Sequence, residues 1–274
     1  MSKNVIIVGP PRSGTSLTAA VFAKKGYYVG AIESAAMRDG DDNNPYGYFE
    51  ADELIARNVG ILERGGFSFH NTWRHEPITA DVIERLAVMP PSNEERAFVQ
   101  ACGAHRPWMW KDPRLCFTLP VWARAIDPRT TVIVVVRRAT EDIYRSFQRM
   151  GWCEDGAMAR RRTVERIELH ARHAEDSAKA AGMPHVCVDY ADYLAKALEV
   201  AERLGELCGL RLVAEDLNVQ PALSHSSARG RFSARLRRSL DRGALRSLKA
   251  LRPMVPRKLL SALFPEKKYQ SLPK

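Results

Sequence analysis

The segment VIIVGPPRSGTSLTAAVF, residues 5–22, decides the fold, because it reads as a strand, a glycine-rich turn and a helix. Residues 5–8 form an apolar, β-branched run, Gly9 and Gly14 frame the turn, and a helical pattern begins near Thr15. Backbone amides of such a turn, together with the N-terminus of the following helix, bind anions. The segment therefore predicts an anion-binding loop after the first strand of an α/β protein.

The side chains of this loop do not match a triphosphate site. A nucleoside triphosphatase loop reads G-x-x-x-x-G-K-[ST], whereas here Thr15 stands at the position of the lysine. Arg12 is the strong cation of the loop, and its planar guanidinium suits phosphate or sulfate oxygens. The hydroxyls of Ser13, Thr15 and Ser16 can donate to the same anion. The alternative is an ordinary turn whose hydroxyls cap the helix.

The rest of the chain predicts a parallel sheet with crossover helices, because β-rich runs alternate with longer helical patterns. We expect a single α/β domain over residues 1–220 and a basic helical extension over 221–274. The predicted strands lie at 4–8, 27–30, 107–111, 131–136 and 185–189, and the predicted helices at 15–25, 49–63, 80–104 with a break at Pro90-Pro91, 115–125, 140–150, 157–181 and 191–208.

The net charge of +10 is concentrated in the extension. Residues 221–274 hold 14 Lys/Arg against two acidic residues, whereas residues 1–220 hold 28 basic and 30 acidic residues. Within 231–252 the basic and the apolar residues fall on opposite sides of a helix. This helix could pack on the domain, lie on an anionic membrane surface, or bind an acidic glycan. Without interleaved aromatic residues for base stacking, we predict no nucleic-acid partner.

Composition indicates the compartment and excludes some classes of protein. The five cysteines are odd in number and never spaced as C-x-x-C, which indicates reduced thiols and no structural zinc. No apolar run approaches the roughly 18 residues of a membrane span, and the first strand begins too early for a signal peptide. We expect a cytoplasmic protein, with the inner face of the membrane as the alternative that the basic tail suggests.

A second basic site follows the predicted strand 131–136. The strand ends in Arg137-Arg138, and Ser146 follows eight residues after Arg138. Open α/β sheets bind ligands at the carboxyl ends of their strands. Metal-dependent nucleotide enzymes more often place an aspartate there to hold magnesium. Arg138 therefore predicts a second anionic group bound without metal, although an arginine pair on the surface is the alternative.

These two motifs carry a family resemblance. PPRSGTS (10–16) and RRATEDIYRS (137–146) resemble the phosphosulfate-binding segments of sulfotransferases that use 3′-phosphoadenosine 5′-phosphosulfate (PAPS). The segments NPYGYFE (44–50) and WKDPRLCFTLPVW (110–122) are similar to the bacterial branch, and the likeness spans about residues 4–195. It implies the P-loop-like sulfotransferase fold. Thr140 departs from the family, in which proline is common at this position.

The resemblance implies a set of nucleotide-binding residues. The loop would hold the 5′-phosphosulfate, Arg138 and Ser146 would hold the 3′-phosphate, and Tyr190 in VDYADYL would lie against the adenine. Arg229 in ARGRF is similar to a late Arg-Lys-Gly segment of the family. The binding residues implied are Pro11, Arg12, Ser13, Gly14, Thr15, Ser16, Arg138, Ser146, Tyr190 and Arg229.

Transfer to an alcohol needs a base for the hydroxyl proton and cations for the leaving oxygen. Glu50 matches the family's carboxylate base, and its aromatic neighbours would desolvate it. His70, His75 and Asp112 are the alternative bases.

Lys111 matches the family's lysine near the sulfonate, so the implied catalytic residues are Glu50, Lys111 and Arg12. Arg114 could contact the acceptor or pair with a carboxylate. The loops 31–48 and 65–78, with Tyr48, Phe69 and Trp73, are expected to shape the acceptor pocket.

The function predicted from these features is transfer of a sulfonate from PAPS to a hydroxyl of a small molecule or glycan, which leaves 3′,5′-adenosine bisphosphate (PAP) and needs no metal. One alternative is a metal-dependent nucleotide kinase or NTPase, with HVCVD (185–189) as a Walker-B-like strand. Another is a non-catalytic membrane-surface protein with a degenerate loop.

Overall fold

The computed structural model describes residues 2–30, 47–69, 71–74 and 76–217. The described residues all belong to one compact unit, Met1–Val219. Several sequence predictions lie outside the described residues: residues 31–46 of the predicted loop 31–48, His70, His75, Arg229 and the segment 231–252. The basic extension over 221–274 also lies outside them and stays a prediction.

A four-stranded parallel sheet organises the described part of the chain. The strands are β1 (Asn4–Val8), β2 (Met109–Lys111), β3 (Thr131–Arg137) and β4 (His185–Asp189). Their order in the sheet is β2-β1-β3-β4, and all of them are parallel, so their carboxyl ends share one edge. Because β1 lies between β2 and β3, the loop after β1 lies at the switch point of the sheet, where α/β proteins bind ligands.

Helices cover both faces of the sheet, which confirms the predicted α/β class. Alternate strand residues point to opposite faces, so the neighbouring residues Ile6 and Ile7 pack into two different hydrophobic clusters, one on each face of the sheet. No helix in the described ranges is both long and apolar enough to cross a membrane. The helices are α1 (Thr15–Lys24), α2 (Asp52–Arg64), α3 (Ala80–Val88), α4 (Asn93–Gly103), α5 (Leu115–Ala123), α6 (Thr140–Met150), α7 (Ala157–Ala180), α8 (Tyr190–Ala195) and α9 (Ala197–Cys208).

The predicted strand 27–30 is wrong as a full strand. Only one parallel bridge forms there, between Tyr28 and Trp108. Gly26 and Gly30 flank the bridge with φ values of 80° and 89°. These left-handed conformations turn the backbone away from the sheet on both sides of Tyr28, so pairing stops after one residue.

Two predicted helices have different boundaries. The helix predicted over 49–63 begins at Asp52, because Phe49 has a φ of 52° and Ala51 is extended. Glu50 therefore lies just before α2 rather than at its start. The helix predicted over 191–208 is interrupted at Lys196, whose φ of −139° ends α8 before α9 begins. The predicted break at Pro90-Pro91 is confirmed, and α4 restarts behind a capping box of Ser92 and Glu95.

Candidate active site

The loop after β1 leaves the N-terminus of α1 open to an anion. Gly14 caps the helix in a left-handed conformation and, having no side chain, provides no side-chain cap for the first turn. The first turn also contains no acidic residue. Its amides lack intrahelical acceptors and carry the positive end of the helix dipole. The arrangement suits a phosphate or sulfate group, as the sequence predicted.

Two glycines of the loop allow neighbouring elements to approach it closely. A Cβ on Gly9 would lie 2.5 Å from the carbonyl oxygen of Val136 in β3. A Cβ on Gly14 would lie 2.6 Å from the Tyr190 ring, and Gly14 has a φ of 113°. Any larger residue would clash at either position. The glycine frame therefore lets the end of β3 and Tyr190 contact the loop directly.

The structure brings three of the predicted anion-binding residues together. Arg12 donates from Nε to Ser146 Oγ at 3.1 Å, and Arg138 donates from Nη1 to the Arg12 carbonyl oxygen at 3.0 Å. Within the described part of the chain, Ser13 Oγ and Arg138 Nε are buried without a hydrogen-bond partner. A buried polar group left unpaired costs about 1–3 kcal/mol. Both atoms fit a ligand that brings phosphate oxygens to the loop.

The adjacent arginines at the end of β3 serve different contacts. Arg138 stacks on Tyr190, with its guanidinium carbon 4.3 Å from the ring centroid, and burial lowers the pKa of Arg138. Arg137 instead donates to Asp189 Oδ2 at 2.7 Å, and this hydrogen bond raises the pKa of Arg137. The structure therefore separates the predicted pair. Arg138 faces the loop, and a bound anion would offset the cost of burying its charge.

A buried ion pair occupies the neighbouring strand end. Lys111 Nζ contacts Glu50 Oε1, and the two residues are only 3% and 5% exposed. Lys111 ends β2 and pairs in register with Ile7 of β1, which precedes Gly9 by two residues. The pair therefore lies at the same edge of the sheet as the loop. The carboxylate of the pair can accept a proton, and the ammonium group can stabilise negative charge.

Strained backbone conformations occur both in the loop after β1 and next to Glu50. In the described ranges, Arg12 and Phe49 are the non-glycine residues with positive φ, at 69° and 52°. One lies in the loop and the other directly precedes Glu50. Left-handed conformations cost non-glycine residues free energy and concentrate at functional sites.

Asp112 is occupied by structural contacts, which weakens it as an alternative base. Its Oδ2 accepts from Asn58 Nδ2 at 2.9 Å. Its Oδ1 accepts from the backbone amide and from Nη1 of Arg114, at 3.0 and 2.9 Å. Arg114 therefore pairs with a carboxylate, which was one of its two predicted roles. Asn58 Oδ1 in turn accepts hydrogen bonds from Thr118 and Trp122 of α5.

Two aromatic rings contact the positively charged side chains of Lys111 and Arg114. Tyr48 and Trp73 are buried, with Lys111 Nζ 5.9 Å from the Tyr48 centroid and the Arg114 guanidinium 5.2 Å from Trp73. Of the three aromatic residues expected to shape the acceptor pocket, Phe69 is the exposed one, at 41%.

Sequence reasoning missed the contribution of Asn58 to the site. Its only local signal is a polar residue on the buried face of α2, since its partners are distant in sequence.

In the described ranges, no group of three or more His, Cys, Asp or Glu side chains could hold a metal ion. The expectation of a metal-free reaction stays a prediction.

A protein-family model described as "Sulfotransferase family" matches residues 4–215. The match includes all four strands and every described residue of the candidate site. It supports sulfonyl transfer as the class of reaction and a small-molecule acceptor as the class of substrate. No curated protein matches the chain at a significant level.

Proposed function

Because the chain belongs to the sulfotransferase family, we propose that it transfers a sulfonate group from PAPS to an acceptor hydroxyl. The observation that carries this proposal is the cluster at the edge of the sheet. Arg12, Ser146 and Arg138 are hydrogen-bonded around the loop, and the Glu50–Lys111 pair lies at the adjacent strand end.

The loop residues 11–16 are the proposed site of the 5′-phosphosulfate, with Arg12 as its cation. Arg138 and Ser146 are the proposed partners of the 3′-phosphate, and Tyr190 is the proposed contact of the adenine. The buried unpaired atoms Ser13 Oγ and Arg138 Nε support this assignment, because phosphate oxygens are strong acceptors for such donors. Arg229 stays a predicted contact outside the described residues.

Glu50 is the proposed base. It accepts the hydroxyl proton as the bond from the acceptor oxygen to sulfur forms. Lys111 and Arg12 stabilise the charge that collects on the bridging oxygen as its bond to sulfur breaks. The contact between Glu50 and Lys111 supports these roles, because it holds the proposed proton acceptor next to the proposed cation.

A metal-dependent kinase or NTPase is the competing proposal. Its Walker-B-like carboxylate would be Asp189, which is ion-paired with Arg137 at 2.7 Å. A carboxylate held by an arginine would have to leave it before binding magnesium. Because this pair is half-exposed and costs little to break, the sulfotransferase is favoured mainly by Thr15, which stands at the position of the loop lysine.

Thermal shift measurements separate the two proposals. We expect PAP to raise the Tm equally with and without a metal chelator. Stabilisation by ATP with magnesium alone would overturn the sulfotransferase proposal. A screen of carbohydrate, glycolipid and phenolic acceptors with labelled donor then identifies the acceptor.

The basic segment 231–252 is proposed to contact an anionic membrane surface from the cytoplasmic side, on the strength of its charge pattern alone. Flotation with anionic vesicles, before and after deletion of residues 231–274, tests this contact. We expect the deletion to abolish flotation, and unchanged binding would contradict the proposal.

A further inference from the structure

A hydrogen bond between two buried side chains anchors the segment 71–74. Thr72 Oγ1 lies 2.7 Å from His170 Nε2, and each residue is 1% exposed. His170 lies on α7, 98 residues further along the chain. A histidine on the buried face of a helix costs free energy unless its polar atoms are paired. Its position therefore depends on the partner that Thr72 provides.

The hydrogen-bonding pattern of His170 has one consistent arrangement. Its Nδ1 lies 2.7 Å from the carbonyl oxygen of Arg166, which can only accept. Nδ1 must therefore carry the proton, and Nε2 of the neutral ring accepts from the Thr72 hydroxyl. Burial lowers the pKa of His170 to about 4, so the ring is neutral at physiological pH. The Thr72 hydroxyl is thus held in one direction.

Trp73, the residue after Thr72, contacts Arg114 and also packs against α6. The Trp73 ring stacks on Arg114, which is bonded to Asp112 beside Lys111. Trp73 also packs in one hydrophobic cluster with residues of α6, the helix that carries Ser146. Its own Nε1 has no hydrogen-bond partner among the described residues. The ring is therefore held by packing and by the anchored neighbour.

We propose that Thr72 and His170 are positioning residues for the reaction. Their hydrogen bond fixes Trp73 and, through it, Arg114, which is bonded to Asp112, the residue that follows Lys111 in the chain. The catalytic part of this inference rests on the proposed function. The hydrogen bonds among Arg12, Ser146 and Arg138 do not involve the segment 71–74, so nucleotide binding should not depend on the anchor.

Three variants test the role of the hydroxyl. Thr72→Val removes it while keeping the shape of the side chain, and Thr72→Ser retains it. Thr163→Val is the matched control, because Thr163 is also buried but its hydroxyl donates to the carbonyl of Ala159 in its own helix. The measurements are kcat and KM with the acceptor found in the screen, PAP affinity by calorimetry, and hydrogen exchange of the free protein.

We expect Thr72→Val to lower kcat by about 10- to 100-fold, because a displacement of about 1 Å in an active site can lower the rate about 100-fold. PAP affinity should stay unchanged, while hydrogen exchange rises in peptides that cover residues 67–78. Thr72→Ser and Thr163→Val should retain the wild-type kcat and exchange.

Wild-type kcat in Thr72→Val, or an equal loss in Thr163→Val, would overturn the positioning role. If the wild-type protein transfers no sulfonate, the proposed function fails separately. The exchange comparison still decides the anchor in that case, because unchanged exchange in Thr72→Val would refute it without any activity measurement.

Discussion

Glu50 and Lys111 form an ion pair in which both side chains are almost completely removed from water. Removing two charges from water is costly, and their mutual attraction must repay that cost. Loss of one partner leaves the other charge buried and unpaired. The pair lies where the proposed reaction needs both a proton acceptor and a cation. This chemical role explains why two charged side chains are buried there.

The pair should be energetically coupled. We expect Glu50→Gln and Lys111→Met each to lower the free energy of unfolding by about 3 kcal/mol, because each leaves one buried charge without its partner. The double variant should lose clearly less than the sum of the two, as measured by urea denaturation. Additive losses would show that the two charges do not stabilise each other.

Glu50 should be essential for transfer but not for nucleotide binding. We expect Glu50→Gln to lower kcat at least about 100-fold, since an amide cannot accept the hydroxyl proton. PAP affinity should change little, because the proposed nucleotide contacts lie around the loop. Calorimetry and a labelled-donor assay, both below the Tm of the variant, measure the two effects.

Glu53→Gln is the matched control for this substitution, since Glu53 is an exposed residue on α2 that pairs with Arg57. It should retain full turnover. Substantial turnover in Glu50→Gln would instead move the base to another residue, with His70 and His75 as the next to test.

Arg138 should recognise the 3′-phosphate, and Arg137 should not. We expect Arg138→Gln to weaken PAP binding about 10- to 100-fold, the range of a lost charged hydrogen bond, and to leave 5′-AMP binding nearly unchanged. Arg137→Gln is the control, because Arg137 is paired with Asp189. Calorimetry with both nucleotides checks the result, and equal losses in the two variants would point to a general charge effect.

Gly9 should be intolerant of any side chain. We expect Gly9→Ala to prevent stable folding or nucleotide binding, because the new Cβ would lie 2.5 Å from the Val136 carbonyl oxygen. Gly60→Ala is the control: in the described part of the chain, no atom beyond its chain neighbours and its own helix backbone lies within 4 Å of its Cβ position in the middle of α2. That substitution should raise the free energy of unfolding by up to about 1 kcal/mol. A folded, PAP-binding Gly9→Ala protein would contradict the proposed close approach.

Stability should fall in mild acid because of His170. Burial lowers the pKa of His170 in the folded protein to about 4, whereas an unfolded histidine titrates near 6.5. The unfolded state therefore binds more protons between these values, and its protonation favours unfolding as the pH falls through this window. We expect a loss of about 2 kcal/mol from this residue between pH 7.5 and pH 5.

Denaturation of the wild type and of His170→Gln at both pH values measures this contribution. Burial also lowers the pKa of His173, so the variant should retain a smaller slope of the same sign. An unchanged slope in His170→Gln would show that other groups cause the acid sensitivity.

The sequence alone determined the sheet class, the loop and the residues around it, because their signals are local. The run 5–8 and the glycines after it specify a strand, a turn and a helix within eighteen residues. Arg138 directly follows β3 and Ser146 lies on the next helix, α6, so their spacing is also a local signal. The helix boundaries predicted from the sequence differ from the structure where the backbone conformation of a single residue ends or delays a helix, as at Phe49 and Lys196.

Only the tertiary structure decided which of these residues meet. Lys111 at the end of β2 meets Glu50, which lies 61 residues earlier in the chain just before α2, and Thr72 meets His170 across 98 residues. Such contacts depend on the order of the strands and the packing of the helices, for which a single sequence carries no periodic signal. The chemistry of each side chain was therefore readable from the sequence, whereas its partner was set by the packing of distant segments.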